Sequence, residues 1–206
     1  MPHFAFLYLA SQSPRRRQLL DQIGARHELL RPDTAADAEG LEAVRASELP
    51  AAYVQRVTRL KLDAARRRLA RRGLPEAPVL CADTTVALGR RILGKPDDAA
   101  EARAMLGALS GRTHRVLSAV AVWTGTRRLE ALNLSHVRFA ELPMKVIDAY
   151  VASGEPFGKA GAYAIQSALA GWIERIDGSH SGIMGLPLAE TAALLRRAGV
   201  AHSLSA

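Results

Sequence analysis

Asp83 stands in Val79–Leu88, a run that is otherwise apolar apart from Thr84 and Thr85. A carboxylate in a strand that should be buried is costly unless it is paired or bound to a metal. Its chemistry is therefore either structural, as an ion pair with a nearby Arg, or functional, as a metal ligand or general base at a strand's end. Upstream, Ser11-Gln12-Ser13-Pro14-Arg15-Arg16 joins an apolar run to a helical pattern. Small residues let the backbone approach a ligand, a helix N-terminus offers free N–H groups, and Arg15 and Arg16 add guanidinium forks, so the segment suits an anion. A solvated, capped helix is the competing reading. Gly94-Lys95-Pro96 and residues 154–166 each set a lysine, Lys95 or Lys159, beside turn residues. Gln166 ends the second of these, and its amide can read a base edge or cap a core.

Other matches fail on chemistry. Residues 89–95 resemble the start of a P-loop, but Pro96 stands where Ser or Thr should bind Mg²⁺, and Arg-Arg-Ile-Leu reads as a turn and strand. Gly178-Ser179-His180-Ser181-Gly182 has the spacing of a nucleophile elbow with histidine at its centre. The six histidines show no ligand spacing, which argues against zinc. Cys81 is the single cysteine, so no intramolecular disulfide forms; its apolar strand marks it as a buried thiol, and a reducing cytoplasm is expected.

The elements that must carry these residues follow from periodicity. Residues 4–10 and 27–30 read as strands, with a helix over 15–23 between them, Ser13 as its N-cap, Pro14 at its first position and Gly24 as its stop. Residues 31–49 are acidic and read as a loop. A long helix from Pro50 to about Arg72 should bury Tyr53, Val57, Leu60 and Ala64 and turn its arginines outward. Strands over 79–88 and 92–93, a helix from Asp97 and Asp98 to Leu109, and two long antiparallel strands over 113–123 and 129–139 come next. Helix over 143–152, loop over 153–161, strand over 172–176, helix over 188–198 and a terminal strand over 200–204 complete the chain. The alternation gives an α/β or α+β class, read as one domain over 1–206.

The 206 residues carry 28 Lys+Arg against 20 Asp+Glu, a net +8, with 49% hydrophobic residues. That composition excludes a disordered chain, and no stretch approaches the roughly 18 apolar residues of a membrane span. The positive charge suits either nucleic acid or a small polyanion, but it is scattered, and the aromatics that interleave a single-strand platform are missing. All but four of the basic residues are Arg; Lys61, Lys95, Lys145 and Lys159 remain, and a lysine kept in such a background suits a compact ammonium.

Together these motifs resemble one family. Ser11-Gln12-Ser13-Pro14-Arg15-Arg16, Ala82-Asp83-Thr84-Thr85-Val86, Gly94-Lys95-Pro96, Ser110-Gly111-Arg112-Thr113-His114, residues 159–166 and Gly185-Leu186-Pro187-Leu188 occur in the order seen in the Maf-like nucleoside triphosphate pyrophosphatases, and they span nearly the whole chain. Ala-Asp-Thr-Thr and the Ala-Ile-Gln ending resemble the dTTP/UTP-cleaving subfamily rather than the one that prefers 7-methyl-GTP. The resemblance implies an α/β fold, a mixed sheet flanked by helices in two lobes around a central cleft, and a homodimer. It implies hydrolysis of a nucleoside triphosphate to monophosphate and pyrophosphate with a divalent cation, Mg²⁺ or Mn²⁺.

By the same resemblance Asp83 is the catalytic proton acceptor and a metal ligand. Arg15, Thr84 and Gln166 set substrate choice, and Lys61, Lys95 and Lys159 lie near the phosphates, with Ser11 and Arg16 of the first motif also binding substrate. Gln12 stands where the family usually has Gly, Ser167 where Gly often follows the Gln, and Leu62 where Ala usually follows the Lys. A family acid belongs in the loop after the second strand, where Asp33, Asp37, Glu39, Glu42 and Glu48 all stand. A basic cell-division or nucleic-acid-binding protein and a purine-type house-cleaning enzyme are the alternatives.

Overall fold

The computed structural model describes residues 4–33 and 40–203. In chain order the elements are β1 (Leu7–Leu9), α1 (Pro14–Gln22), β2 (His27–Leu29), α2 (Pro50–Arg71), β3 (Val79–Leu88), β4 (Arg91–Leu93), α3 (Ala99–Leu109), β5 (Thr113–Trp123), β6 (Arg128–Phe139), α4 (Met144–Ala152), β7 (Ile173–Asp177), α5 (His180–Met184) and α6 (Leu188–Ala198). Two short 3-10 helices, Ala160–Ala162 and Ala168–Trp172, precede β7. The strands form one mixed sheet in the order β2-β1-β3-β5-β6-β7, with β4 also paired to β3. β1 runs parallel to both its neighbours, β2 and β3; the other pairings are antiparallel. The fold is therefore α/β, as expected.

One edge of β3 changes partner along its length. Val79 and Leu80 pair with β1, and Val86 to Leu88 pair with β4. Between them no described strand covers this edge, while the other edge pairs with β5 throughout. Asp83, Thr84 and Thr85 occupy that gap, so the sheet itself leaves their backbone open on one side.

Alternation then sends neighbouring side chains to opposite faces. Cys81, Asp83 and Ala87 face α2, whose Tyr53, Val54, Val57, Leu62 and Ala65 pack against Leu117, Ala119 and Ala121 of β5. Ala82 and Val86 face the other way, into two separate cores. Ala82 joins Leu19, Leu20, Leu194 and Leu195 of α1 and α6; Val86 joins Leu106, Leu109, Phe139, Ile147 and Tyr163. Thr84, half-buried, lies at the seam between these cores.

Several expectations shift. The buried stripe of α2 runs through Val54, Val57, Leu62, Ala65 and Arg68, so Leu60 and Ala64 are only half-buried and Arg68 points inward rather than out. This rotation puts Lys61 toward the sheet. Ser13 holds the N-cap position of α1 but makes no side-chain cap bond. Val200 forms a single bridge to Phe4 instead of a strand, because β1 is flanked by β2 and β3 and only the segment ahead of it is open to pairing; Leu204 lies outside the described residues. The 3-10 helices and α5 are not legible in the sequence, being shorter than the window in which periodicity shows.

Gly161 locks the 159–166 segment onto β3. Its φ is +69°, and a Cβ there would lie 2.8 Å from a Val86 side-chain carbon. Gly161→Ala combines left-handed strain with overpacking, and should cost about 2 to 4 kcal/mol, read as a lower midpoint in urea unfolding.

Candidate active site

A cavity of about 470 Å³ opens at the gap in β3. Ser11, Arg15, Arg16, Lys61, Asp83, Thr84, Lys95, Lys159 and Gln166 all line it. These are the nine residues that the sequence nominates, drawn from β3, α2, the start of α1 and three loops. Asp83 is thus paired, but with a lysine from α2 rather than with an arginine.

Lys61 is the hub. Its Nζ donates to Asp83 Oδ1 at 2.6 Å and to Glu42 Oε1 at 2.6 Å. Lys95 Nζ donates to the other Glu42 oxygen at 2.8 Å. The register of the sheet makes room for this: Asp83 pairs with Ala119 on β5, a side chain too small to fill the space that Lys61 enters. Glu42 answers which acid of the 31–49 loop reaches the site. Glu48 instead pairs with Arg56, and Asp33 with Arg71 and Arg72 outside the cavity; Asp37 and Glu39 lie outside the described residues.

Burial alone would lower the Lys61 pKa, but Asp83 and Glu42 outweigh it and hold the ammonium above its usual value. Glu42 shows the mirror case: burial pushes it up, and Lys61 and Lys95 bring it below the usual carboxylate range. The sign of each contribution follows. Stability from Glu42 is present above its unfolded pKa and is lost as pH falls through its folded one. Stability from Lys61 is present below its unfolded pKa and is lost as pH rises through its raised folded value.

Arg16 closes the other wall. Its Nε donates to the Gly185 carbonyl at 2.9 Å and its Nη1 to Ser11 Oγ at 3.2 Å. Burial lowers its pKa, with Asp83 opposing, but an arginine starts so high that the charge persists at neutral pH. A Cβ on Gly185 would approach within 3.7 Å of Arg16 Nε and 3.8 Å of Thr84 Oγ1, at a φ of +123°; glycine keeps this rim low and allows the turn. Arg15 lines the cavity nearby.

The 159–166 segment forms the remaining wall. Gly161 N–H donates to the Gly94 carbonyl at 2.9 Å, so the Lys95 and Lys159 loops are tied together. Lys159 donates to the Glu155 carbonyl, and that residue's carboxylate lies 3.4 Å away. Tyr163 pins the segment from below: its hydroxyl meets His114 Nε2 at 2.7 Å, and both rings pack on Phe139. Burial pulls the His114 pKa to about 4, so the ring is neutral at pH 7. The Ser110–His114 motif thus acts at one remove, by anchoring the loop that carries Gln166. Cys81, beneath Asp83, is fully buried and burial pushes its thiol up to about 12, an inert group as expected.

The cavity has two characters. Around Asp83, on the α2 side, lie Lys61, Lys95 and Glu42, with Arg16 across the gap. Around Thr84, on the opposite face of the strand, lie Val86, Val116, Ile165, Ile183 and Met184. A ligand with a polyanionic end and a flat, less polar end matches both.

Fold and site together define an α/β protein whose cationic, carboxylate-bearing cavity lies where a central strand changes partner. The Maf-like protein family profile matches residues 6–198, and the chain belongs to that family. It is 64% identical to the dTTP/UTP pyrophosphatase of Polaromonas sp. over 97% of this chain and 99% of that one. It is 63% identical to the dTTP/UTP pyrophosphatase of Cupriavidus metallidurans, over 95% of this chain and 98% of the relative. With the dTTP/UTP pyrophosphatase of Albidiferax ferrireducens identity is 62%, over 94% and 97%.

Lys61→Met leaves Glu42 and Asp83 without their shared ammonium. At pH 7 it should cost about 2 to 4 kcal/mol of unfolding free energy. With only Lys95 left to oppose burial, the Glu42 pKa should lie above its wild-type value, so the gap from wild type should narrow as pH falls below the carboxylate range. Urea titrations of both proteins at pH 7 and pH 4 check the sign.

Proposed function

We infer that the protein is a nucleoside triphosphate pyrophosphatase that hydrolyses dTTP and UTP to the monophosphate and pyrophosphate. The observation that carries this reading is one cavity lined by Asp83, by the cations Arg16, Lys61, Lys95 and Lys159, and by Thr84 and Gln166, with Lys61 bonded directly to Asp83. The names of the close relatives support the same substrates.

In this reading Arg15, Arg16, Lys95 and Lys159 hold the triphosphate and neutralise charge on its oxygens, the largest electrostatic task in phosphoryl chemistry. Lys95 is the more exposed of the two lysines on Glu42, and it swings from that carboxylate to a phosphate. Lys61 holds Asp83 through Oδ1, leaving Oδ2 to accept the proton of a water aimed at the α-phosphorus. Pyrophosphate leaves, and the new P–O bond belongs to the monophosphate. Thr84 and Gln166 read the pyrimidine edge, and Gln166, exposed, has no hydrogen-bond partner among the described residues.

A divalent cation of the Mg²⁺ or Mn²⁺ kind fits the donors. Asp83 and Glu42 offer two carboxylates, and such ions complete their shell with phosphate oxygens and water. Among the described residues no group of three His, Cys, Asp or Glu gathers, so the substrate's own oxygens would supply further ligands. When bound, the ion would polarise the phosphate oxygens and acidify the attacking water.

No described helix is long and apolar enough to cross a membrane, and we place the reaction in the cytoplasm, where one buried thiol stays reduced. A homodimer belongs to this reading as well. The nucleic-acid alternative is not favoured, since the site's cations gather inside a cavity rather than along a surface.

The direct test is pyrophosphate release from dTTP, UTP, CTP, ITP, XTP and 7-methyl-GTP with Mg²⁺ or Mn²⁺. Preference for the purines, or no release at all, overturns the reading. Asp83→Asn, which keeps an oxygen to accept from Lys61, should lose no more stability than Lys61→Met and lose about 10²- to 10⁴-fold in kcat, as expected for a general base. Gln166→Glu should lower kcat/KM for dTTP and UTP by about tenfold or more; an unchanged profile rejects Gln166 as the reader.

A further inference from the structure

We propose that Ser118, a buried residue of β5 outside every sequence motif, is a specificity-determining positioning residue that sets the direction of the Thr84 hydroxyl and so selects bases carrying a ring N–H. The inference rests on the proposed pyrimidine specificity and extends it.

On the face of the sheet that bears the base end of the cavity, the β3–β5 partners are Leu80 with Val122, Ala82 with Val120, Thr84 with Ser118, and Val86 with Val116. One polar pair interrupts an otherwise apolar row, at the seam between two cores. Ser118 is 1% exposed, so its hydroxyl must be satisfied within the protein. Its Oγ lies 2.6 Å from the Gly182 carbonyl and 2.7 Å from Thr84 Oγ1.

Proton counting fixes the direction of both bonds. A carbonyl oxygen has no proton to give, so Ser118 donates to Gly182. A hydroxyl has one proton, so Ser118 can only accept from Thr84. Thr84 therefore donates inward, and the lone pairs of its oxygen are what it offers to the cavity.

The terminus of this chain of hydroxyls is rigid. The Gly182 carbonyl also accepts from Gly185 N–H at 3.0 Å, so both its lone pairs are used. Ser179 Oγ accepts from Gly182 N–H at 3.0 Å, and a Cβ at 182 would lie 2.7 Å from Asn133 Oδ1. With the carbonyl held, neither hydroxyl is free to turn.

An acceptor at Thr84 matches the N3–H of uracil or thymine. Cytosine presents an unprotonated N3 there, and two acceptors facing each other in a low-dielectric cavity repel. Discrimination against cytosine then comes from the backbone carbonyl of Gly182, transmitted through Ser118. Gln166 alone cannot supply it, because its amide can rotate to offer either a donor or an acceptor.

Ser118→Ala removes the acceptor for the Thr84 proton and lets that hydroxyl turn toward the cavity. The ratio of kcat/KM for UTP to that for CTP should fall by about tenfold, the worth of one hydrogen bond, with dTTP falling alongside UTP. An unchanged ratio in a folded Ser118→Ala protein overturns the proposal. Should that variant fail to fold, Thr84→Val and the wild type supply the deciding measurements. Thr84→Val should lower the same ratio, and the wild type should cleave N3-methyl-UTP, which lacks the N–H, at least about tenfold more slowly than UTP. Equal rates on UTP and N3-methyl-UTP overturn it. A wild type that releases pyrophosphate from neither UTP nor dTTP overturns the underlying function instead, so the two failures are distinguishable.

Discussion

One ammonium group organises the site. Lys61 Nζ lies between two carboxylates, each 2.6 Å away, that come from a strand and from a loop. Without it, β3 would carry an unpaired charge into the core, and the Glu42 carboxylate would keep only Lys95 as a cationic partner. Because all three groups are largely shielded from solvent, none is stable alone. The cluster holds as a set, and it holds the oxygen of Asp83 that faces the cavity in a fixed direction.

The sheet explains why such a cluster can exist here. β3 trades β1 for β4 midway, and the uncovered edge admits a ligand to a strand that is otherwise interior. Alternation along that strand then divides labour. Asp83 looks toward α2 and the cations, and Thr84 looks through the opposite face toward the apolar walls. In the proposed reading, adjacent residues thus address the two ends of one nucleotide. The same alternation places Ser118 behind Thr84 and Ala119 opposite Asp83, so β5 supports both functions from a single run of sequence.

Much of this was legible in the residues. The polar interruption of Val79–Leu88 marked Asp83 and Thr84 because burying such groups has a cost that must be offset. Lysines surviving among arginines marked Lys61, Lys95 and Lys159, and equally Lys145, which does not line the cavity. Helix and strand bounds from Pro50 to Phe139 came out within a few residues, since hydrophobic periodicity is strong there. Less accessible were the short elements near 160–184 and the rotation of α2, where a stripe displaced by one residue buries Arg68 and Leu62 rather than Leu60. Ser118 carried a weak signal, a lone hydroxyl between Leu117 and Ala119, but one serine in a strand has no meaning until its partners are known.

The order of residues was enough to name the chemical groups: an aspartate whose burial had to be offset by a partner or a ligand, cations in turn segments, an amide beside them, and a run of motifs that together resemble a family. It was not enough to say which of those groups meet. Five acids in or beside one loop were chemically equivalent on paper, and Glu42 alone among the described ones reaches Lys61 and Lys95. The direction of the Thr84 proton likewise depends on a carbonyl nearly a hundred residues away in the chain. Both are through-space facts, set by where the backbone returns after a helix or a strand, and side-chain type carries no record of that path.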